Sequence, residues 1–266
     1  MEQFPYDAHT HTSASDGRNT AEENVRAAEA VGLRCVALTD HLYPETSHEE
    51  LARRVATARA LDRCSSVTVV AGAEAVILDT EGTVSVDEQA AQMLDLVLAD
   101  VGARTRGVAL EPPASPTRYE ENVLAAVENA ACNSLVDVIA HPFNLGRFPA
   151  VLTPAQLSRD ALKRVARTMA DNNVAFEIMN QVHWWYPYMT VEEFTREYVG
   201  LLRIFASEGV KFVVGSDTHS CCGVGNLHYC RRLMREAGIE LSQLVDLERM
   251  VAVRQAQRSR NSAGAP

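Results

Sequence analysis

Within the 266-residue chain, residues able to bind a metal recur in short clusters far apart in sequence. They are His9-Thr10-His11 with Asp16 close behind, Asp40-His41, Glu74, His141 and Asp217-Thr218-His219. Residues two apart on a strand project to the same side, so His9 and His11 can grip one ion together. A mixed imidazole and carboxylate set suits Zn, Mn or Fe, whereas carboxylates alone would suit Mg or Ca. Several such ligands joined by a bridging carboxylate can hold two or more ions about 3.5–4 Å apart, the spacing that activates water and clamps a phosphoryl oxygen. A lone HxH or DTH is commonly incidental, but five such clusters at element ends point to one metal centre.

The elements that must position these residues show as short apolar runs: FPYDA (4–8), CVALT (35–39), VTVVAGA (67–73), LDLVLADV (94–101), VDVIA (136–140), VAFEIM (174–179) and KFVVG (211–215). They read as seven buried strands, five of which lead directly into a cluster. Amphipathic stretches lie between them. Thr20 caps a helix that stops at Gly32, and Ser47 with Glu50 forms a capping box before the next. Further helices are expected over 117–132, 155–171, 191–208, 226–237 and 242–256, with a hairpin AVILD-TEGT-VSV and a short helix at 87–93 after the third strand. Repeated strand–helix units imply an α/β fold, a parallel sheet closed or nearly closed into a barrel. All strand C-termini then open on one face. A doubly wound open sheet is disfavoured because no GxGxxG follows the first strand, and GVG at 223–225 lacks the third glycine. Residues 1–257 read as one domain and RSRNSAGAP (258–266) as a flexible tail.

Acidic residues outnumber basic ones 35 to 25, giving a net charge of −10 with no basic patch, which disfavours binding to duplex nucleic acid. The start, MEQFPYDAHT, lacks the regions of a signal peptide, and no apolar run is long enough to span a membrane, so a cytoplasmic protein is expected. The six cysteines are scattered without a CxxC and read as reduced thiols. His48 and His228 are expected on solvated helix surfaces.

Taken in order, DAHTHTSASDG, ALTDH, AGAE, IAHPF and GSDTHS resemble the PHP family, the polymerase and histidinol phosphatase domain, from Asp7 to His219. The resemblance implies a distorted (β/α)7 TIM-like barrel holding two or three Zn, Mn or Fe ions and hydrolysing phosphate esters. It implies that His9, His11, Glu74 and Asp217 bind a first metal, and that Glu74 bridges to a second that also takes His141. It places Asp16, His41 and His219 on a third, Asp40 behind a ligand histidine, and Asn180 at a polar position near the site, with Glu177 in support. One departure stands out: where many members end the fourth strand in a histidine ligand, this chain has Gly102, with Asp100 available to substitute if the register allows.

The expected reaction is hydrolysis of a small phosphate monoester, such as histidinol phosphate, a nucleotide or a sugar phosphate, by a hydroxide that the ions activate. Glu74 would bridge, and Asp217, His219 or a water on the ions would protonate the leaving oxygen. Arg18, Arg104 and Arg147 follow strand ends and could reach the phosphate. The loop QVHWWYPY, carrying Trp184, could wall the pocket against a planar or apolar leaving group. Two other classes compete with this one: a non-catalytic metal-binding module, against which the intact Glu74, His141, Asp217 and His219 speak, and an amidohydrolase-like C–N hydrolase. The latter commonly uses a bridging lysine, and the only lysines are Lys163 in a helix and Lys211 at a strand start.

Overall fold

The computed structural model describes residues 4–148 and 151–263. All seven expected runs form strands: β1 (Tyr6–Asp7), β2 (Cys35–Leu38), β4 (Thr68–Val76), β5 (Leu96–Asp100), β6 (Val138–Ile139), β7 (Ala175–Met179) and β8 (Phe212–Gly215). A two-residue β3 (His41–Leu42), too short to read from sequence, pairs with β4. Every ladder is parallel, in the order β1-β2-β4-β5-β6-β7-β8. The ends then meet: Ala8 N donates to Val214 O (3.0 Å), Asp217 N to His9 O (2.9 Å) and His11 N to Thr218 O (2.9 Å). These bonds close the sheet into the expected barrel. Buried Asp7 reinforces the seam, accepting from Ser216 N (2.9 Å) and Gly225 N (2.9 Å).

Helices α1 (Ala21–Ala30), α2 (His48–Asp62), α3 (Glu88–Met93), α4 (Pro116–Ala130), α5 (Arg159–Asp171), α6 (Val191–Ser207), α7 (His228–Ala237) and α8 (Leu247–Ala263) alternate with the strands. Helices covering the outer face of a parallel sheet explain why β5 (LVLAD) is buried at all five positions. Thr20 and Glu23 form a full capping box on α1, which ends at Val31 before Gly32 turns the chain at φ 75°. Ser47 caps α2, but the Glu50 carboxylate pairs with Arg54, so the box expected there is only half formed. The hairpin after β4 reduces to one antiparallel bridge, Ile77 to Val84. Short 3-10 turns precede α5 and α8 where longer helices were expected. The expected tail is helical as far as Ala263, and its residues 264–266 lie outside those described. All six cysteines are free, Cys35 within the core. Among the described residues no helix is long and apolar enough to cross a membrane.

Candidate metal centre

The C-terminal mouth of the barrel gathers the clusters. His9 Nε2 and His11 Nε2 lie 3.0 Å apart. Asp217 Oδ1 is 3.0 Å from His11 Nε2 and 3.5 Å from His9 Nε2, and Glu74 Oε2 is 3.6 Å from both rings. The other Glu74 oxygen faces His141 Nε2 at 3.1 Å, so this carboxylate stands between two groups of ligands. Toward solvent, Asp16 approaches His219 Nε2 (3.2 Å) and His41 Nε2 (3.4 Å), and the His11 and His219 rings stack at 4.2 Å. Among the described residues, donor atoms within 4.8 Å of one another define four metal-capable sets: His9, His11 and Glu74; Glu74, Asp100 and His141; His11, Asp16, His41 and His219; and His9, His141 and Glu177.

The donor chemistry fits a cation. His9 Nδ1 lies 2.9 Å from Glu177 Oε1 and donates to it, so a neutral ring presents a lone pair at Nε2, facing another imidazole nitrogen and two carboxylates. His11 Nδ1 and His141 Nδ1 are buried without a hydrogen-bond partner, and Glu74 Oε2 meets His41 Nδ1 at 2.7 Å. Buried polar groups are normally paired, and divalent ions would satisfy this excess of electron pairs. Burial works against the charged His9 ring, but Glu177, Asp217 and Glu74 outweigh it and raise its pKa well above the usual imidazole value. His41 behaves alike: desolvation opposes protonation, yet Glu74 and Asp16 push the pKa up to about 9. Burial would raise Glu74 and Asp217, but the surrounding histidines hold both carboxylates low.

The backbone is specialised here too. His141 (φ 29°) and Asp217 (φ 51°) occupy the left-handed region, which costs a non-glycine residue about 1–3 kcal/mol. Each is pinned by its own amide, His141 N to Glu177 Oε2 (2.8 Å) and Asp217 N to His9 O (2.9 Å). Glu177 thus anchors two cluster residues at once from inside β7. It has room because position 215 is glycine, where a Cβ would sit 2.1 Å from Glu177 Oε1.

A family model described as PHP domain matches residues 7–181, more than half of the chain. The chain belongs to the PHP family. Curated relatives agree: proteins of Clostridium novyi (28% identical over 234 residues, 87% of this chain and 86% of theirs) and Acetivibrio thermocellus (29% over 236 residues, 88% and 87%) are both named probable phosphatases. A crystal structure of histidinol phosphate phosphatase from Lactococcus lactis, complexed with zinc, L-histidinol and phosphate, shares the fold at TM-score 0.66 and 17% identity, over 90% of this chain and 95% of that one. The protein is a metal-dependent phosphoesterase.

Around this PHP centre the remaining candidates divide. Asp40 does not touch a ligand histidine; its oxygens accept from Thr12 N (2.7 Å), Thr12 Oγ (2.7 Å) and Ser15 Oγ (2.6 Å), shaping the loop that carries Asp16. Glu177, expected only as a support, takes the orienting place expected of Asp40, with Oε1 2.9 Å from His9 Nδ1. Arg147 reaches the centre, 2.6 Å from Asp100 Oδ1 and stacked 4.9 Å over the Trp185 ring. Arg104 is engaged by Glu45 (2.6 Å) and lies over Tyr43, which in turn stacks on His41. Arg18 is exposed, and its backbone nitrogen donates to His219 O (2.8 Å). Asn180 Oδ1 is occupied by Tyr229 N (2.8 Å), holding the start of α7. The aromatic loop also needs correction: Trp184 is 67% exposed, while Trp185 meets His141 edge-on at 5.3 Å. Tyr186 packs inward instead, donating to Phe143 O at 2.8 Å. His48 is engaged by Asp87 (2.9 Å) rather than only solvated, whereas His228 is exposed as expected. Tyr43 escaped sequence reading, although its position two after His41 was a signal that both point one way.

Proposed function

We propose that this PHP barrel hydrolyses a small phosphate monoester, with a first ion on His9, His11, Glu74 and Asp217, a second reached by Glu74 and His141, and a third on Asp16, His41 and His219. The observation that carries this reading is the buried meeting of His9, His11, Glu74 and Asp217, with two imidazole nitrogens 3.0 Å apart and carboxylate oxygens beside them. When bound, divalent Zn, Mn or Fe ions lower the pKa of water toward neutrality and offset charge on the phosphoryl oxygens. The chain's own residues orient and exclude. Glu177 fixes the His9 tautomer, Glu74 spans two sets, and Arg147 offers a cation beside them. Asp217 is buried and engaged by His9 and His11, so it is poorly placed to give a proton to the leaving oxygen.

Trp185 walls the His141 side and favours a leaving group with a ring, so histidinol phosphate, mononucleotides and sugar phosphates form the substrate class. The Lactococcus protein's histidinol and phosphate ligands make histidinol phosphate the first ester to test. The test is metal analysis of wild type and His9→Ala alongside phosphate release. The reading expects His9→Ala to lose bound metal and fall to background while retaining its circular dichroism. Unchanged metal content and turnover in that variant would remove the assignment.

A further inference from the structure

Gly102 and Asp100 together explain how the PHP centre is built where a histidine is missing. A Cβ on Gly102 would lie 2.8 Å from Asp100 Oδ2, while its next neighbours, Asp100 Cγ and Val76 Cγ1, are at an ordinary 3.7 Å. The space a side chain at 102 would enter is therefore the space the Asp100 carboxylate fills. That carboxylate is not idle. It is buried at the end of β5, shares a metal-capable set with Glu74 and His141, and lies 3.4 Å from His141 Nδ1, a buried atom with no hydrogen-bond partner. Arg147 Nη2 holds it there, bonded to Asp100 Oδ1 (2.6 Å) and Val101 O (2.9 Å).

We infer that Asp100 replaces the missing histidine as a ligand of the second ion, giving that position two carboxylates and one imidazole. This rests on the proposed phosphoesterase centre. The donor set is harder than that of the sets richer in histidine, so the second position discriminates least against Mn2+ relative to Zn2+. Arg147 acts as a positioning residue that keeps Asp100 turned toward Glu74 and His141.

The test counts Mn2+ bound per chain after chelation, reloading with MnCl2 and gel filtration. Wild type is expected to retain one equivalent more than Asp100→Asn, and the same protein reloaded with ZnCl2 alone is expected to show a smaller difference. Asp100→Ala combined with Gly102→His should regain the lost equivalent, because the histidine enters the vacated space; a merely structural role for Asp100 would not be rescued this way. Equal Mn2+ content in wild type and Asp100→Asn overturns the inference while leaving the phosphoesterase reading intact. Absence of tightly bound metal from wild type would instead defeat the reading beneath it.

Discussion

His9 and Glu177 illustrate how much of this site depends on a proton's position. Glu177 accepts the hydrogen bond from Nδ1–H and leaves Nε2 to face an ion, the arrangement by which a carboxylate strengthens a ligand histidine. Glu177→Ala should weaken metal binding by about 10–100-fold, with Glu177→Gln recovering part of the loss; competition with a chelator of known affinity reads this directly. Both oxygens of Glu177 are in use, so truncation also frees the left-handed backbone at His141. Protons and ions compete here. In the metal-free protein the folded pKa of His41, about 9, lies above its unfolded value, so its contribution to stability is complete below about pH 6.5 and disappears as pH rises through 9. The melting temperature of chelated protein should therefore fall between pH 6.5 and 9, while metal affinity rises as protons leave His41. A chelated protein that grows more stable over that range would contradict the electrostatics. The residues that meet at this mouth were legible in sequence because they sit at the ends of apolar runs. Trp185 was not: two adjacent tryptophans look alike until the 3-10 turn at Val182–Trp185 places residues three apart on one side and turns Trp185 inward with buried Val182. Trp185→Ala should lower kcat/KM several-fold, and Trp184→Ala should leave it nearly unchanged.

At the scale of elements, strand ends do the positioning. The register pairs His41 with Glu74 across β3 and β4, and the seam bonds beside β1 and β8 bring residues some two hundred positions apart into contact. Asp7 is central to that seam, offering its carboxylate to the amides of Ser216 and Gly225. Asp7→Ala would leave the buried Ser216 donor unsatisfied, at about 1–3 kcal/mol, and a lowered urea midpoint measures it. By comparison Thr20→Ala, which removes the α1 cap, should cost about 1 kcal/mol without altering activity. The strands could be read from sequence because covered parallel strands are continuous apolar runs. Two details could not be, since they depend on tertiary competition. Glu50 chose Arg54 over its capping partner, and Asp40 chose the Thr12 and Ser15 donors over a histidine.

For the molecule as a whole, part of the net charge of −10 is local, since Asp16, Glu74, Asp100 and Asp217 crowd one mouth of the barrel. Fixed positive charge near them is sparse: Arg147 is paired with Asp100 and Arg104 with Glu45. An anionic substrate therefore needs the ions to enter at all, which makes activity depend on metal loading in both binding and chemistry. The most direct test is phosphate release from histidinol phosphate, mononucleotides and sugar phosphates by chelated protein before and after addition of Mn2+, Zn2+ or Fe2+. The account predicts no release from the chelated protein and turnover of at least one monoester on reloading. Release that ignores the chelator, or none with any ion or ester, would contradict it.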